Sequence, residues 1–247
     1  MPSGSLSTLW RLSEFEQHYR SRITEAGSVG SSMLMSSQLL GEIDNLERRQ
    51  CDRNVVEVIA ACRRSQEAAL VFLRLDELVW PITLFPSEGI YHSRHDLLQA
   101  FGQTPLNLSV MAVEAATITA PALHVREHGE QAEYFRPLHP ALWQLALCSP
   151  TQGLLREIGG PAAYRALRSL ASDRLQAPGA LGHAAERLHR EAAALRHIAQ
   201  WPGMSVERGV RLLNALYLTS NLMVSRSHPL ARAEPSLTGR PRPAGSA

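Results

Sequence analysis

The sequence predicts an α+β protein, in which a small mixed α/β domain is followed by an all-helical domain with a helix-turn-helix-like C-terminal unit. Helical periodicity is clear near both ends of the chain, and strand-forming runs bounded by turn residues occupy the middle. Stretches rich in Ser, Gly and Pro separate these parts. We therefore divide the chain into an N-terminal helix with a Ser/Gly-rich linker (1–37), an α+β domain (38–150), a helical domain (151–228) and a disordered tail (229–247).

The C-terminal half contains two long helical patterns, which are separated by Trp201-Pro202-Gly203. Apolar or small residues recur three or four positions apart over residues 181–198, which predicts one continuous helix with one buried face. The Pro-Gly turn ends this helix, and Ser205 is the predicted N-cap of the next one, which is predicted over residues 205–226. In that next helix Val206 is predicted to face inward. Three polar residues are predicted to face outward: Arg208, Arg211 and Asn214.

A helix, a short Gly-containing turn and a second helix with basic residues in its first turns are typical of helix-turn-helix and winged-helix units. Many all-α domains contain the same pattern as an ordinary helical hairpin that is structural or binds proteins. The pattern therefore leaves two functions open for Arg208, Arg211 and Asn214. They form a contact surface for a protein partner, or they bind DNA.

A shorter apolar stripe lies near the N-terminus and contains Phe15, with Trp10 beside it. The Ser/Gly-rich residues 26–37 follow it and indicate a flexible linker. Two interpretations remain open for this helix. It packs on the main domain, or it docks in a groove of a partner through Trp10 and Phe15.

Strand-forming residues cluster between positions 69 and 92. The runs 69–73 and 79–85 are rich in apolar strand formers and predict two strands. Pro81 lacks an N–H group, so it predicts a sheet edge or strand start for the second run. A turn at 86–89 leads to a returning strand at 90–92. Further strands are predicted at 108–113, 116–118 and 134–135, and helices at 38–49, 55–62, 97–101, 140–147 and 161–171.

One segment resembles a known family. A helix ending in Arg63-Arg64-Ser65 leads to strands, to a turn ending in Gly89 with a short strand after it, and to a helix beginning at Asp96-Leu97-Leu98. This order resembles the bacterial PATAN domain. Members often carry a winged-helix-like segment afterwards, to which residues 193–224 are similar. The resemblance implies a non-enzymatic adaptor in bacterial signalling or surface behaviour that acts through protein contacts.

The charge of the chain is unevenly distributed. All 25 residues in the Lys+Arg count are arginine, which is typical of a GC-rich bacterial genome. Residues 1–150 hold 12 Arg and 17 Asp+Glu, whereas residues 151–247 hold 13 Arg and 6 Asp+Glu. A basic C-terminal half favours an acidic partner, which is either nucleic acid or an acidic protein surface, including the N-terminal half of this chain.

Sequence motifs for catalysis are weak. His124, Glu127 and His128 match the HxxEH zinc motif, which would make the protein a metal-dependent hydrolase. Pro121 and Gly129 disrupt the helix that this motif needs, so no metal or cofactor is predicted. The three cysteines form neither a disulfide framework nor a CxxC site. Without a secretory signal or a long apolar run, the sequence predicts a cytoplasmic, non-enzymatic bacterial regulatory protein or adaptor with a protein partner, and no membrane span.

Overall fold

The computed structural model describes residues 9–26, 35–48, 54–100, 108–121, 132–149 and 153–231. Its helices are α1 Leu12–Ala26, α2 Ser37–Arg48, α3 Val55–Ser65, α4 Leu97–Ala100, α5 Leu138–Cys148, α6 Ala180–Arg190, α7 Leu195–Ile198 and α8 Val206–Leu218. Its strands are β1 Trp10–Arg11, β2 Ala69–Leu75, β3 Leu78–Phe85, β4 Ile90–His92, β5 Leu108–Ala115, β6 Phe135–Pro137, β7 Ala163–Ala166 and β8 Leu222–Ser225. The predicted mixture of helices and strands is confirmed.

Six strands form one antiparallel sheet. Five of them lie in the order β5-β2-β3-β4-β6, and the sixth, β1, pairs with the start of β3. The predicted strands at 69–73, 79–85 and 90–92 are confirmed, whereas residues 116–118 lie beyond the end of β5. The prediction that Pro81 marks a sheet edge or strand start is wrong, because β3 is an internal strand. Pro81 pairs with Phe72 of β2 on one side. On the other side of β3, β1 pairs with residues 78–79 and β4 pairs with residues 83–85. Pro81 lies between these two segments, where no strand needs an N–H donor.

The N-terminal helix packs on one face of this sheet. The Phe15 side chain is only 4% exposed, and its ring lies 4.9 Å from that of Phe72. Trp10 stacks on His18 with 5.1 Å between ring centroids. This satellite core is separate from the main core, which lies on the opposite face of the sheet. The interpretation that α1 packs on the main domain therefore holds, and the buried Phe15 is not a surface residue.

The C-terminal part is not all-helical as predicted. Residues 161–171 do not form a helix, because Ala163–Ala166 pair as β7 with β8 in an antiparallel two-stranded sheet. The predicted helix over 181–198 is also interrupted. Ala193 forms a bridge to Tyr164, with two backbone hydrogen bonds of 2.9 Å. Alanine-rich residues favour helices, but pairing with buried neighbours outweighs this intrinsic preference.

Helix α8 begins where the sequence predicts it, but it ends at Leu218, and Leu222–Ser225 of the predicted helix form β8 instead. The Ser205 side chain accepts a hydrogen bond from the Arg208 N–H, which confirms the predicted N-cap. The predicted orientations of two of its residues are wrong. Val206 is 59% exposed, and Asn214 is only 1% exposed. Neighbouring elements cover α8 on several sides, so periodicity alone did not identify its solvent-facing residues.

One hydrophobic core crosses the predicted boundary at residue 150. Helix α5 is apolar on nearly all sides, as expected for a central helix, and packs against α8. Arg63 of α3 donates hydrogen bonds to the Leu218 carbonyl and the Ser220 hydroxyl at the C-terminal end of α8. Arg64 forms ion pairs with Glu42, at 2.5 Å, and with Glu157, at 2.7 Å. These contacts bind the C-terminal part to the first helices.

Several sequence predictions lie outside the described residues. The HxxEH motif with His124, Glu127 and His128 falls in residues 122–131. Most of the Ser/Gly-rich linker falls in residues 27–34, and most of the C-terminal tail in residues 232–247.

Stability at mildly acidic pH is expected to depend on His92. Burial lowers the pKa of this histidine, and the positive charges of Arg136 and Arg94 lower it further. The unfolded chain therefore binds a proton first, near pH of about 6.5. The stability that neutral His92 contributes is complete above that pH and is lost as the pH falls toward the lower folded-state pKa. Urea unfolding of wild type and His92→Gln across this range should show the smaller pH dependence in the variant, and parallel curves would contradict this assignment.

Candidate functional site

A groove of about 980 Å³ lies between α5, the loop that precedes α6 and the N-terminal part of α8. We call it the arginine groove. The residues that line it are Leu98, Pro140, Trp143, Gln144, Leu147, Cys148, Arg174, Leu175, Gln176, Ala177, Pro178, Gly179, Ala180, Leu181, Arg208 and Arg211. Pockets that bind ligands occupy about 300–1,000 Å³, so the groove is large enough to be functional.

The floor of the arginine groove is apolar and fixed. Trp143 of α5 is only 1% exposed, and Leu147 and Leu175 beside it are also buried. The indole Nε1 of Trp143 donates a hydrogen bond of 2.7 Å to the Gln176 carbonyl. This bond joins α5 to the loop on the opposite wall. The groove therefore lies on well-packed elements.

Arginine is the only charged residue type among the described residues that line the groove. Arg208 donates a hydrogen bond to the Gly203 carbonyl, and Arg211 pairs with Glu207 one helical turn earlier. The Nε of Arg211 is buried and has no acceptor among the described residues. Leaving a charged donor unpaired is unfavourable, so this nitrogen marks a place where an acceptor is missing.

The turn before α8 places Arg208 at the groove. Gly203 has φ of +72°, and a Cβ on it would lie 2.8 Å from the Cβ of Ala180. Glycine is required here for both reasons. The turn thus packs directly against the first residue of α6, and its carbonyl holds the Arg208 side chain.

The cysteine in the groove is not an activated nucleophile. Burial raises the pKa of Cys148, and the nearby Arg211 opposes this only in part. Burial also raises the pKa of Cys62 to about 12. A thiol with a raised pKa stays protonated near neutral pH, and the thiolate is the reactive form. Among the described residues, no three His, Cys, Asp or Glu side chains are grouped so that they could hold a metal ion.

A second cavity, of about 210 Å³, lies near the C-terminal end of α8. Arg63, Arg64 and Tyr217 line it. Both arginines already form hydrogen bonds or ion pairs within the protein. This cavity therefore belongs to the contacts that join the two parts of the chain.

The structure places two of the five predicted site residues in the arginine groove. Arg208 and Arg211 both line the arginine groove. The side chain of Asn214 is instead bonded internally, to Leu155 N–H at 3.0 Å and to the Gly153 carbonyl at 3.1 Å. Trp10 and Phe15 lie in the satellite core under α1. The sequence analysis missed Arg174 and Trp143, because it gave no indication that α5 lies against α8.

Comparison with models of known protein families, with curated proteins and with solved structures found no match. None of the helices in the described part of the chain is both long enough and apolar enough to cross a membrane.

Proposed function

We propose that this protein is a non-enzymatic bacterial adaptor or regulatory protein, and that it binds a protein partner in the arginine groove. One observation carries the proposal: a groove with an apolar floor and three arginines, and without a carboxylate among the described residues that line it. Interfaces combine a buried apolar centre containing aromatic residues with a polar rim in this way, and Arg is enriched there.

The chemistry of the groove favours binding over catalysis. Its thiol has a raised pKa, and its ionisable side chains are otherwise arginines, which remain protonated. General acid–base catalysis needs a group that titrates near the working pH. An arginine-lined surface instead recognises carboxylates or phosphates.

DNA binding through α8 is the alternative, and the packing of this helix weighs against it. A recognition helix places one exposed face in the major groove. Most of α8 is buried, from Gly209 to Leu218, with only Arg211 and Tyr217 partly exposed. Exposed residues are confined to its first turn, where Glu207 would be repelled by phosphates. Fluorescence anisotropy with a random-sequence duplex should therefore stay flat at low salt, and salt-sensitive binding that Arg208→Ala weakens would support the DNA alternative.

The family resemblance is compatible with this proposal. We propose that the segment from α3 to α4, with the element order α3, β2, β3, β4, α4, is a PATAN-like domain. We propose likewise that α6, α7, α8 and β8 form a winged-helix-like unit, in which α5 covers α8. We also propose that the protein is located in the cytoplasm.

A comparative pull-down tests the proposed function. Tagged wild type, Arg208→Glu and Arg165→Glu are incubated with lysate of the source organism, and bound proteins are quantified by mass spectrometry. Arg165 is exposed on β7 and does not line the groove, so its variant has the same net charge as the groove variant. We expect a partner that wild type and Arg165→Glu retain equally and that Arg208→Glu loses. The same proteins bound by all three variants would contradict the proposal.

A further inference from the structure

We propose that the arginine groove binds an amphipathic helix of a partner protein, with apolar residues on one face and acidic residues beside them. This inference rests on the proposed function and adds the chemistry of the partner. Helix-in-groove recognition uses apolar anchors at helical spacing, and charged residues at the rim select the partner.

The charges of the groove specify an acidic occupant. Arg174, Arg208 and Arg211 come from two different walls, the loop before α6 and helix α8. An occupant between these walls is therefore approached by positive charge from both sides. A basic segment would be repelled from both, and an uncharged one would leave Arg174 and Arg208, which form no ion pair with a described residue, without the carboxylate that a guanidinium binds best.

The unpaired nitrogen of Arg211 is the second observation. Glu207 is the ion-pair partner of this side chain but contacts NH2, while the buried Nε has no acceptor among the described residues. Arg side chains bind carboxylates through two parallel N–H donors. A carboxylate of the occupant that pairs with Arg211 would let this side chain shift, so that the Nε buried behind the groove surface also gains an acceptor.

The volume of the groove is large enough for a short helix. A cylinder about 10 Å wide and about two helical turns long has a volume of about 850 Å³. The groove measures about 980 Å³. The apolar side chains that the groove exposes include Leu98, which is 37% exposed, and the partly exposed Leu181, and they offer a surface for apolar side chains spaced three or four residues apart. Two turns of helix present two or three such side chains.

Three labelled peptides of about 16 residues test this inference by fluorescence anisotropy. The acidic probe has Leu at helical spacing on one face and Glu on the flanking positions. Its basic twin has Lys in place of Glu, and its scrambled twin has the same composition without an apolar face. We expect saturable, salt-sensitive binding of the acidic probe and much weaker binding of both twins.

Groove variants locate the site of binding. Arg174→Glu and Arg208→Glu should each weaken binding of the acidic probe about fivefold to tenfold, because an attractive rim charge becomes repulsive. Arg165→Glu has the same charge change outside the groove and should leave binding within about twofold of wild type. Circular dichroism melting of each variant shows that the fold is retained.

Three results would overturn the inference. The first is equal binding of the acidic and basic probes, or binding of neither. The second is equal weakening by Arg165→Glu and Arg208→Glu. The third is displacement of the acidic probe by octanoate at equal molar concentration, which would indicate a small amphiphilic carboxylate as the occupant. If the pull-down still yields a partner that depends on Arg208, the proposed function stands and only the acidic, helical chemistry of the partner is wrong.

Discussion

Replacing Trp143 with alanine is expected to lower the free energy of unfolding by about 3–5 kcal/mol, the range for removing a large buried aromatic side chain. Trp143 is only 1% exposed and packs in the core that α5 shares with α8. For a chain of this size the loss corresponds to a decrease in Tm of roughly 10 °C. Thermal melting followed by circular dichroism measures it.

The Trp143→Phe variant separates packing from hydrogen bonding. It keeps an aromatic ring but loses the bond to the Gln176 carbonyl. We expect a cost of about 1–2 kcal/mol, and weaker probe binding because the loop that forms one groove wall loses its link to α5. Costs below about 0.5 kcal/mol for both variants, as at surface positions, would show that Trp143 does not join these two walls.

Replacing Asn214 with alanine is expected to cost about 1–3 kcal/mol, because two backbone groups lose their partner and one of them, the Leu155 N–H, is buried and would be left unpaired. These groups are the Leu155 N–H and the Gly153 carbonyl, both in the segment that follows α5. Chemical denaturation of wild type and variant measures the difference. The exposed Gln200→Ala is the matched control and should change stability by less than about 0.5 kcal/mol.

Asn214 also distinguishes a structural residue from a contact residue. From the sequence, Asn214 is predicted to lie on a binding surface with Arg208 and Arg211. Because Asn214 is buried and does not line the groove, Asn214→Ala should bind the acidic probe within about twofold of wild type at temperatures well below the melting temperature of the variant. Loss of binding without loss of stability would show that Asn214 contacts the partner directly.

Local sequence signals predicted the elements more successfully than their arrangement. Most of the strands and long helices follow from apolar periodicity and turn residues, and Ser205 was correctly identified as an N-cap. The strand β7 could not be predicted in this way. Its Ala-Tyr-Arg-Ala sequence favours a helix locally, and only pairing with β8 and Ala193 makes it a strand.

The residues of the arginine groove were predictable only where a local sequence signal marks them. The basic first turns of α8 identified Arg208 and Arg211, because a charge near a helix start is visible in sequence. The position of Asn214 depends on the 153–155 segment covering α8, which is a long-range contact. Arg174 lines the same groove as the other two arginines because α5 packs against α8 and is hydrogen-bonded to the loop before α6. Local periodicity contains no information about such packing.

Site-specific photo-crosslinking in living cells tests most directly whether the arginine groove is a protein-binding surface. A benzophenone amino acid replaces Gln144 on the groove wall or, as the control, the exposed Gln200 outside it. We expect a crosslinked protein from the Gln144 position that is absent from the Gln200 position and absent when Arg208→Glu is added. Crosslinking at Gln200 alone, or crosslinking at Gln144 that is unaffected by Arg208→Glu, would contradict the account.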